Sequence, residues 1–333
     1  SYLNDIAQSM MEYIADISRE RVRYRRSGYA PSQPVESPRG SKDAFYIKID
    51  KHYGSSDHVT YMQHGIPAVM FITWPDMYYH SSEDTPDKLD PTQFKRAAAV
   101  GLGGLAVISV GTDEMAARVL ADNVGRGLSR MGESHTKGLG YMADASSGPT
   151  LTNAYNEARV AILHQAGIEK SVVRSASVMW TNVDDGRKKT ATFEPLIDQR
   201  ANTLLNEVKA AYQLQAMQRG VTAAEPTMTA EDRAAANLVV EPIAAPGGGR
   251  AGGGGGRGAG GGGGGRGAGG PSLPDEFSAE FSNLLGKGMT VGQIRDFLSG
   301  EFTPLPLADV LAVLRARETA GSIKLTPKPA GGK

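Results

Sequence analysis

The 333-residue chain carries 36 Lys and Arg against 36 Asp and Glu, a formal net charge of zero, and it has no Cys. Neutrality removes any general electrostatic pull toward nucleic acid or acidic membrane. The lack of Cys excludes disulfides and thiolate zinc sites, so a metal would need His and carboxylate donors. The length suffices for one large or two ordinary domains. At Ser1 the chain opens directly into a helical pattern, without the charged, apolar and cleavage regions of a signal peptide, which reads as a start in mid-protein.

Leu3, Ile6, Ala7, Met10, Ile14 and Ile17 recur at helical spacing and predict an amphipathic first helix. It ends in Arg19, Arg21, Arg23, Arg25 and Arg26, read as a solvated helix end favoured by the macrodipole. A loop rich in Pro (Pro31, Pro34, Pro38) leads to a short predicted strand over Phe45–Ile49. A short helix over Val59–His64, capped by Ser56 or Asp57 and ended by Gly65, comes next. The apolar run Ala68–Thr73 between Pro67 and Pro75 predicts a strand buried on both faces, as in an α/β sheet. Asp90, Pro91 and Gln93 form an N-terminal helix signature ahead of the apolar stretch Ala97–Val110. That stretch falls short of the roughly 20 residues a membrane span needs, and its small residues suit tight packing on a sheet. No transmembrane segment is expected.

From about Asp113 to Arg233 the pattern is helical, with Ala154–Ala166 and Pro195–Gln218 the clearest segments. Of the 24 residues Gly247–Gly270, 18 are Gly, punctuated by Arg250, Arg257 and Arg266. So few side chains cannot offset backbone ordering, and the tract is expected to be a flexible linker spanning roughly 25–30 Å. An Arg/Gly RNA-binding segment is the alternative, but aromatic residues for base stacking are missing. Beyond it, Thr290 and Gln293 form a capping box for a helix reaching Leu298 before Gly300. Leu307, Val310, Leu311 and Leu314 mark a second helix from about Pro306. About 60 residues with few large apolar side chains make a marginal core. Docking to the main domain or self-association through helical regions is therefore expected.

The window Gly54–Asp90 is the chemically informative part. In open α/β sheets ligands bind just beyond the carboxyl ends of strands. The loop after the predicted strand holds Tyr78, Tyr79, His80, Glu83 and Asp84. A His in such a loop is either a hydrogen-bonded structural residue or a ligand, and Asp57 can both cap a helix and face a pocket. His52, His58 and His64 recur at six-residue intervals, which puts successive imidazoles on different helix faces, and no HExxH is present. His135 and His164 are expected at the surface.

The window resembles the C-terminal part of the co-catalytic zinc aminopeptidases of metallopeptidase family twenty-eight, whose relatives include glutaminyl cyclases. The matching elements run in order. They are Ser56-Asp57-His58 with Tyr61, then Gly65-Ile66-Pro67-Ala68, then Tyr79-His80, then Asp84 to Asp90 entering the last helix. The resemblance implies an α/β fold over residues 1–112, part of a three-layer sheet with flanking helices. A helical extension (113–245), the linker (246–270) and a small helical module (271–333) complete the expected organisation. It further implies that His80 is a zinc ligand and that Tyr79 donates to the developing oxyanion. Asp57 and His58 line the substrate pocket, and Asp84 orients His80, the alternative being a turn residue ahead of the last helix. The cofactor is two zinc ions, the partner a peptide substrate, and the location extracytoplasmic.

In that family four of the five ligands (His, Asp, Glu, Asp and His) and a Glu general base lie upstream of these elements. The reading is therefore the C-terminal part of a zinc exopeptidase, inactive as this chain alone. A catalytically incomplete structural or interaction protein is one alternative. A glutaminyl-cyclase-like acyltransferase on the same fold is another.

Overall fold

A computed structural model describes residues 1–24, 35–50, 56–243 and 270–328. The helices are α1 (Tyr2–Tyr24), α2 (His58–Gln63), α3 (Pro91–Ser109), α4 (Asp113–Ala143), α5 (Gly148–Ser175), α6 (Val183–Ala191), α7 (Glu194–Gln218), α8 (Ala230–Ala236), α9 (Ser278–Leu284), α10 (Val291–Glu301) and α11 (Leu307–Thr319). Two strands, β1 (Leu238–Pro242) and β2 (Ile323–Pro327), form one antiparallel ladder in which Val240 faces Leu325. The chain is thus mostly helical, with a small two-stranded sheet. Pro31, Pro34, His52, the side chains of Arg21, Arg23, Arg25 and Arg26, and the Gly/Arg tract through residue 269 lie outside the described residues.

Two compact units emerge among the described residues, one within Ser1–Lys51, Ser56–Arg126 and Ser171–Phe193, the other mainly within Gly127–Lys170 and Glu194–Lys333. In the first, α1 packs along α3. The predicted stripe of α1 is buried at Ile6 and Ile14. Glycine lets the two helices approach, since a Cβ on Gly103 would come within 2.8 Å of Met10 Sδ. The buried stripe of α3 is Thr92, Arg96, Val100 and Gly104, four residues apart. Arg96 is fully buried and donates to Ser18 Oγ at 2.9 Å and to the Asp43 carbonyl at 2.7 Å, pinning the loop before Phe45 to both helices. Desolvation lowers its pKa, against the pull of Glu36, Asp90 and Asp43. Asp90 caps α3 as expected, accepting from the Thr92 amide at 2.8 Å.

Two expectations of this region fail. Phe45–Ile49 and Ala68–Thr73 are not strands, and the latter is half-buried at Ala68–Met70 and exposed at Phe71–Thr73 rather than buried on both faces. The physical reason is a missing neighbour: no backbone–backbone hydrogen bond is made between Pro67 and Trp74 among the described residues. Likewise α3 packs on a helix, not on a sheet. Its other side leaves Phe94, Leu102, Leu105 and Ile108 exposed.

The second unit contains a helical part and a C-terminal part. α7 buries Ile197, Ala201, Leu204, Val208, Tyr212 and Ala216 along one face. Tyr155 and Tyr212 stack with ring centroids 4.4 Å apart. Gly138 of α4 faces the Ala158 backbone of α5 so closely that a Cβ would lie 3.0 Å from its Cα. Glu169 is buried and neutralised by a bidentate Arg130, both contacts at 2.7 Å. In the C-terminal part Thr290 and Gln293 form the expected capping box. Its core joins Phe277, Phe281, Ile294, Leu298, Val310 and Leu314 to Val240 and Ile323 of the two strands. Val240 precedes the Gly/Arg tract, so residues from both sides of that tract share one core. No described helix is long and apolar enough to cross a membrane.

The Gly138 contact gives a paired test. Gly140, on the same helix, has open space around its Cβ position. Gly140→Ala should therefore stabilise the protein by up to about 1 kcal/mol, as helix propensity dictates. Gly138→Ala should instead destabilise it, because the new methyl meets backbone. Urea denaturation followed by circular dichroism reads both.

Candidate functional site

The loop Trp74–Asp90 is built from short-range hydrogen bonds. Asp76 Oδ1 accepts from the Tyr78 amide at 2.9 Å, and Ser81 Oγ donates to the Tyr78 carbonyl at 2.7 Å. The amides of Ser81 and Asp84 then donate to Tyr78 O and Ser81 O, at 3.0 and 3.3 Å, closing two successive turns. His80 is the third residue of the first turn, with φ of 56°, a left-handed conformation that costs a non-glycine residue roughly 1–2 kcal/mol. Such strain persists only where the surroundings impose it, and it is concentrated at functional sites. The Trp74–Pro75 peptide that opens the loop is cis.

Aromatic rings hold the two central residues. The Tyr79 ring stacks on the His80 imidazole, centroids 3.9 Å apart and 17° from parallel, and Trp74 meets Tyr79 edge-on at 5.5 Å. Both Tyr79 and His80 remain exposed. Further along, Lys88 Nζ lies 5.4 Å from the centroid of the Tyr78 ring. Hydrogen bonds from Lys88 and Thr85 hold the Asp87 carboxyl below the usual carboxylate range. Asp90 is held low too: against the cost of burial, bonds from Ser41 and Thr92 favour its charged form.

The other residues singled out from the sequence are placed differently. Asp57 precedes α2 as expected but makes no capping bond through its side chain. Gly65 ends α2 with φ of 74°, where the amides of Gly65 and Ile66 donate to Met62 O and Tyr61 O, a Schellman closure. His58 is the first residue of α2 and partly buried. No hydrogen bond among the described residues joins Asp84 to His80, or Asp57 to either Tyr79 or His80. The structure thus stacks Tyr79 on His80, while Asp84 enters the loop through its amide bond to the Ser81 carbonyl.

A metal centre can be tested against these side chains. Among the described residues no group of three or more His, Asp or Glu is placed to hold a metal ion. A two-zinc centre needs several convergent donors for each ion. The described residues do not fit one by themselves; His80 is a single exposed imidazole.

The expectation that His135 and His164 lie at the surface is corrected. The His164 side chain is only 7% exposed, its Nε2 is 3.0 Å from Glu301 Oε2, and Phe297 meets the ring edge-on. His135 is largely covered as well and lies 3.4 Å from Glu207. Their partners stand far away in sequence, so helical periodicity alone carried no signal of them. The same holds for Arg295 and Glu157, a largely covered ion pair that joins α10 to α5. There burial pushes the Glu157 carboxyl up even against the attraction of Arg295.

Residues 27–103, from before α2 into the second half of α3, match the model of peptidase family M28. That match supports a peptidase for this segment of the chain, less than a quarter of its length. No curated protein and no solved structure matches the chain.

The left-handed turn at His80 yields a stability test independent of activity. His80→Gly should leave the fold intact and raise the unfolding free energy by up to about 1 kcal/mol, since glycine carries no penalty there. His80→Val should lower it by at least as much, because a β-branched residue is least tolerant of positive φ. Thermal melts of the two variants against wild type decide the sign.

Proposed function

We propose that this chain carries the C-terminal part of a zinc-dependent exopeptidase of the M28 type, an aminopeptidase that hydrolyses N-terminal peptide bonds. The observation that carries the reading is the stacked Tyr79–His80 pair, presented on a strained, exposed loop within the segment that matches the peptidase family. In this reading His80 Nδ1 or Nε2 is a metal donor, and the Tyr79 phenol donates a hydrogen bond to the oxyanion that develops on the scissile carbonyl. Asp57 and His58 line the pocket that receives the peptide, and Asp84 lies behind His80. Zinc is the expected cofactor. The remaining donors are not among the described residues, so residues 1–333 alone are expected to be inactive. An extracytoplasmic location belongs to the same reading, and cell fractionation checks it.

A glutaminyl-cyclase-like acyl transfer would use the same loop. Peptides beginning with Gln separate the two reactions, since hydrolysis releases the terminal residue and cyclisation retains it.

The test uses the polypeptide purified from its natural source. A chelator should abolish release of N-terminal residues and added zinc should restore it. His80→Ala, made in the natural gene, should abolish turnover and lower zinc content. Wild-type activity at full zinc occupancy in that variant would remove His80 from the metal. Tyr79→Phe should lower kcat by about 10²–10³-fold at unchanged zinc content, the effect of losing one oxyanion donor. A change confined to KM would remove the oxyanion role.

A further inference from the structure

The core of the C-terminal part draws every member from residues 238–325, so this part holds itself together. The seam that joins it to α4 and α5 has a different chemistry. α10 comes so close to α5 that a Cβ on Gly300 would fall 2.4 Å from the His164 Cβ, an approach that glycine alone permits. Ionisable groups surround this contact. His164 Nε2 lies 3.0 Å from Glu301 Oε2, with the Phe297 ring edge-on at 4.6 Å. About two turns earlier on α5, Glu157 pairs with Arg295, their side chains 13% and 12% exposed. Lys137 of α4 donates to the carbonyl of Phe302, the residue that ends α10. Glu280 of α9 completes the group, close enough to interact electrostatically with both Glu301 and His164.

Two observations single out the carboxyls. Glu157 accepts from Arg295 through Oε1, while its Oε2 is buried without a partner, as is the hydroxyl of Tyr141. A buried carboxylate oxygen without a donor is costly, and a proton removes the charge. Glu280 and Glu301 both present their carboxyls to one imidazole. Burial is the largest influence on Glu157 and on Glu280, and it pushes both carboxyls up. Arg295 opposes it at Glu157, where Asp296 adds to it. Lys287, Asn283 and His164 oppose it at Glu280, where Glu301 adds to it.

We propose that the seam between α10 and the α4–α5 pair is a proton-operated latch, closed in mild acid and released as Glu157 and Glu280 ionise, with the C-terminal part staying folded as it leaves. The sign follows from linkage. A carboxyl held above its ordinary value in the closed state takes up a proton on closing. Closure is therefore strongest below about pH 4.3, the ordinary glutamate value, and weakens as pH rises through the raised values. His164 acts in the same direction, because its pairing with Glu301 is charge-assisted only while the ring is protonated.

The chain has no Cys, so two spin labels can be placed by substitution alone. Thr203→Cys on α7 and Thr319→Cys on α11 are at exposed positions outside the seam. Double electron–electron resonance on residues 1–333 reads the distance between the labels at about pH 5 and about pH 8, values that bracket the titration, with circular dichroism at both. One distance population in acid should give way in alkali to a second, longer one, the ratio of long to short rising several-fold at unchanged helicity. The double variant Glu157→Gln, Glu280→Gln carries neutral side chains of the same shape and should keep the acid distribution at both pH values. An unchanging distribution in the wild type would overturn the latch. Loss of helicity alongside the longer distances would overturn it too, since the part would then be unfolding rather than leaving. A double variant that opens with pH as the wild type does would reject the two carboxyls as the trigger.

Discussion

Backbone amides and carbonyls removed from water need partners, and this constraint divides the molecule. The helices satisfy it internally. β1 and β2 satisfy it against each other, with Val240 opposite Leu325. The stretch Pro67–Trp74 does not satisfy it within the described residues, and it is the segment that leads directly into the loop bearing Tyr79 and His80. Local hydrogen bonds at Asp76, Ser81 and Tyr78 shape the loop nonetheless, and ring stacking fixes the relation of Tyr79 to His80.

The second unit meets its demands within itself. Its C-terminal core draws Val240 from one side of the Gly/Arg tract and Ile323 from the other. Ionisable groups largely removed from solvent in this unit have partners, Glu169 with Arg130, Glu157 with Arg295, and His164 with Glu301. Removing one member of such a pair leaves a buried charge uncompensated, which costs far more than the pair itself contributes.

Much of the local structure was legible in the sequence because its causes are local. The cap at Asp90, the capping box at Thr290 and Gln293, and the helix end at Gly65 each depend on side chains within four residues of the feature. The spacing of Ile6 and Ile14 fixed the inner face of α1 in the same way. What failed was whatever depended on distant partners. Ala68–Thr73 has the composition of a buried strand, yet composition cannot supply the neighbouring strands. The burial of His164 comes from Phe297 and Glu301, more than a hundred residues on. Strand β1 was missed because its partner lies beyond the Gly/Arg tract. In the site, the Tyr79–His80 adjacency could be read directly, while the left-handed turn at His80 had no sequence signal, since such a backbone is ordinarily marked by glycine or asparagine.

The central claim is that Tyr79 and His80 belong to a peptidase metal centre to which this chain contributes one donor. The zinc content of the polypeptide purified from its natural source, measured by elemental analysis after dialysis without chelator, tests it most directly. The account predicts two zinc ions per polypeptide, lost together with peptidase activity on chelation. A polypeptide that cleaves N-terminal residues with no bound metal, or one that holds neither metal nor activity, would contradict it.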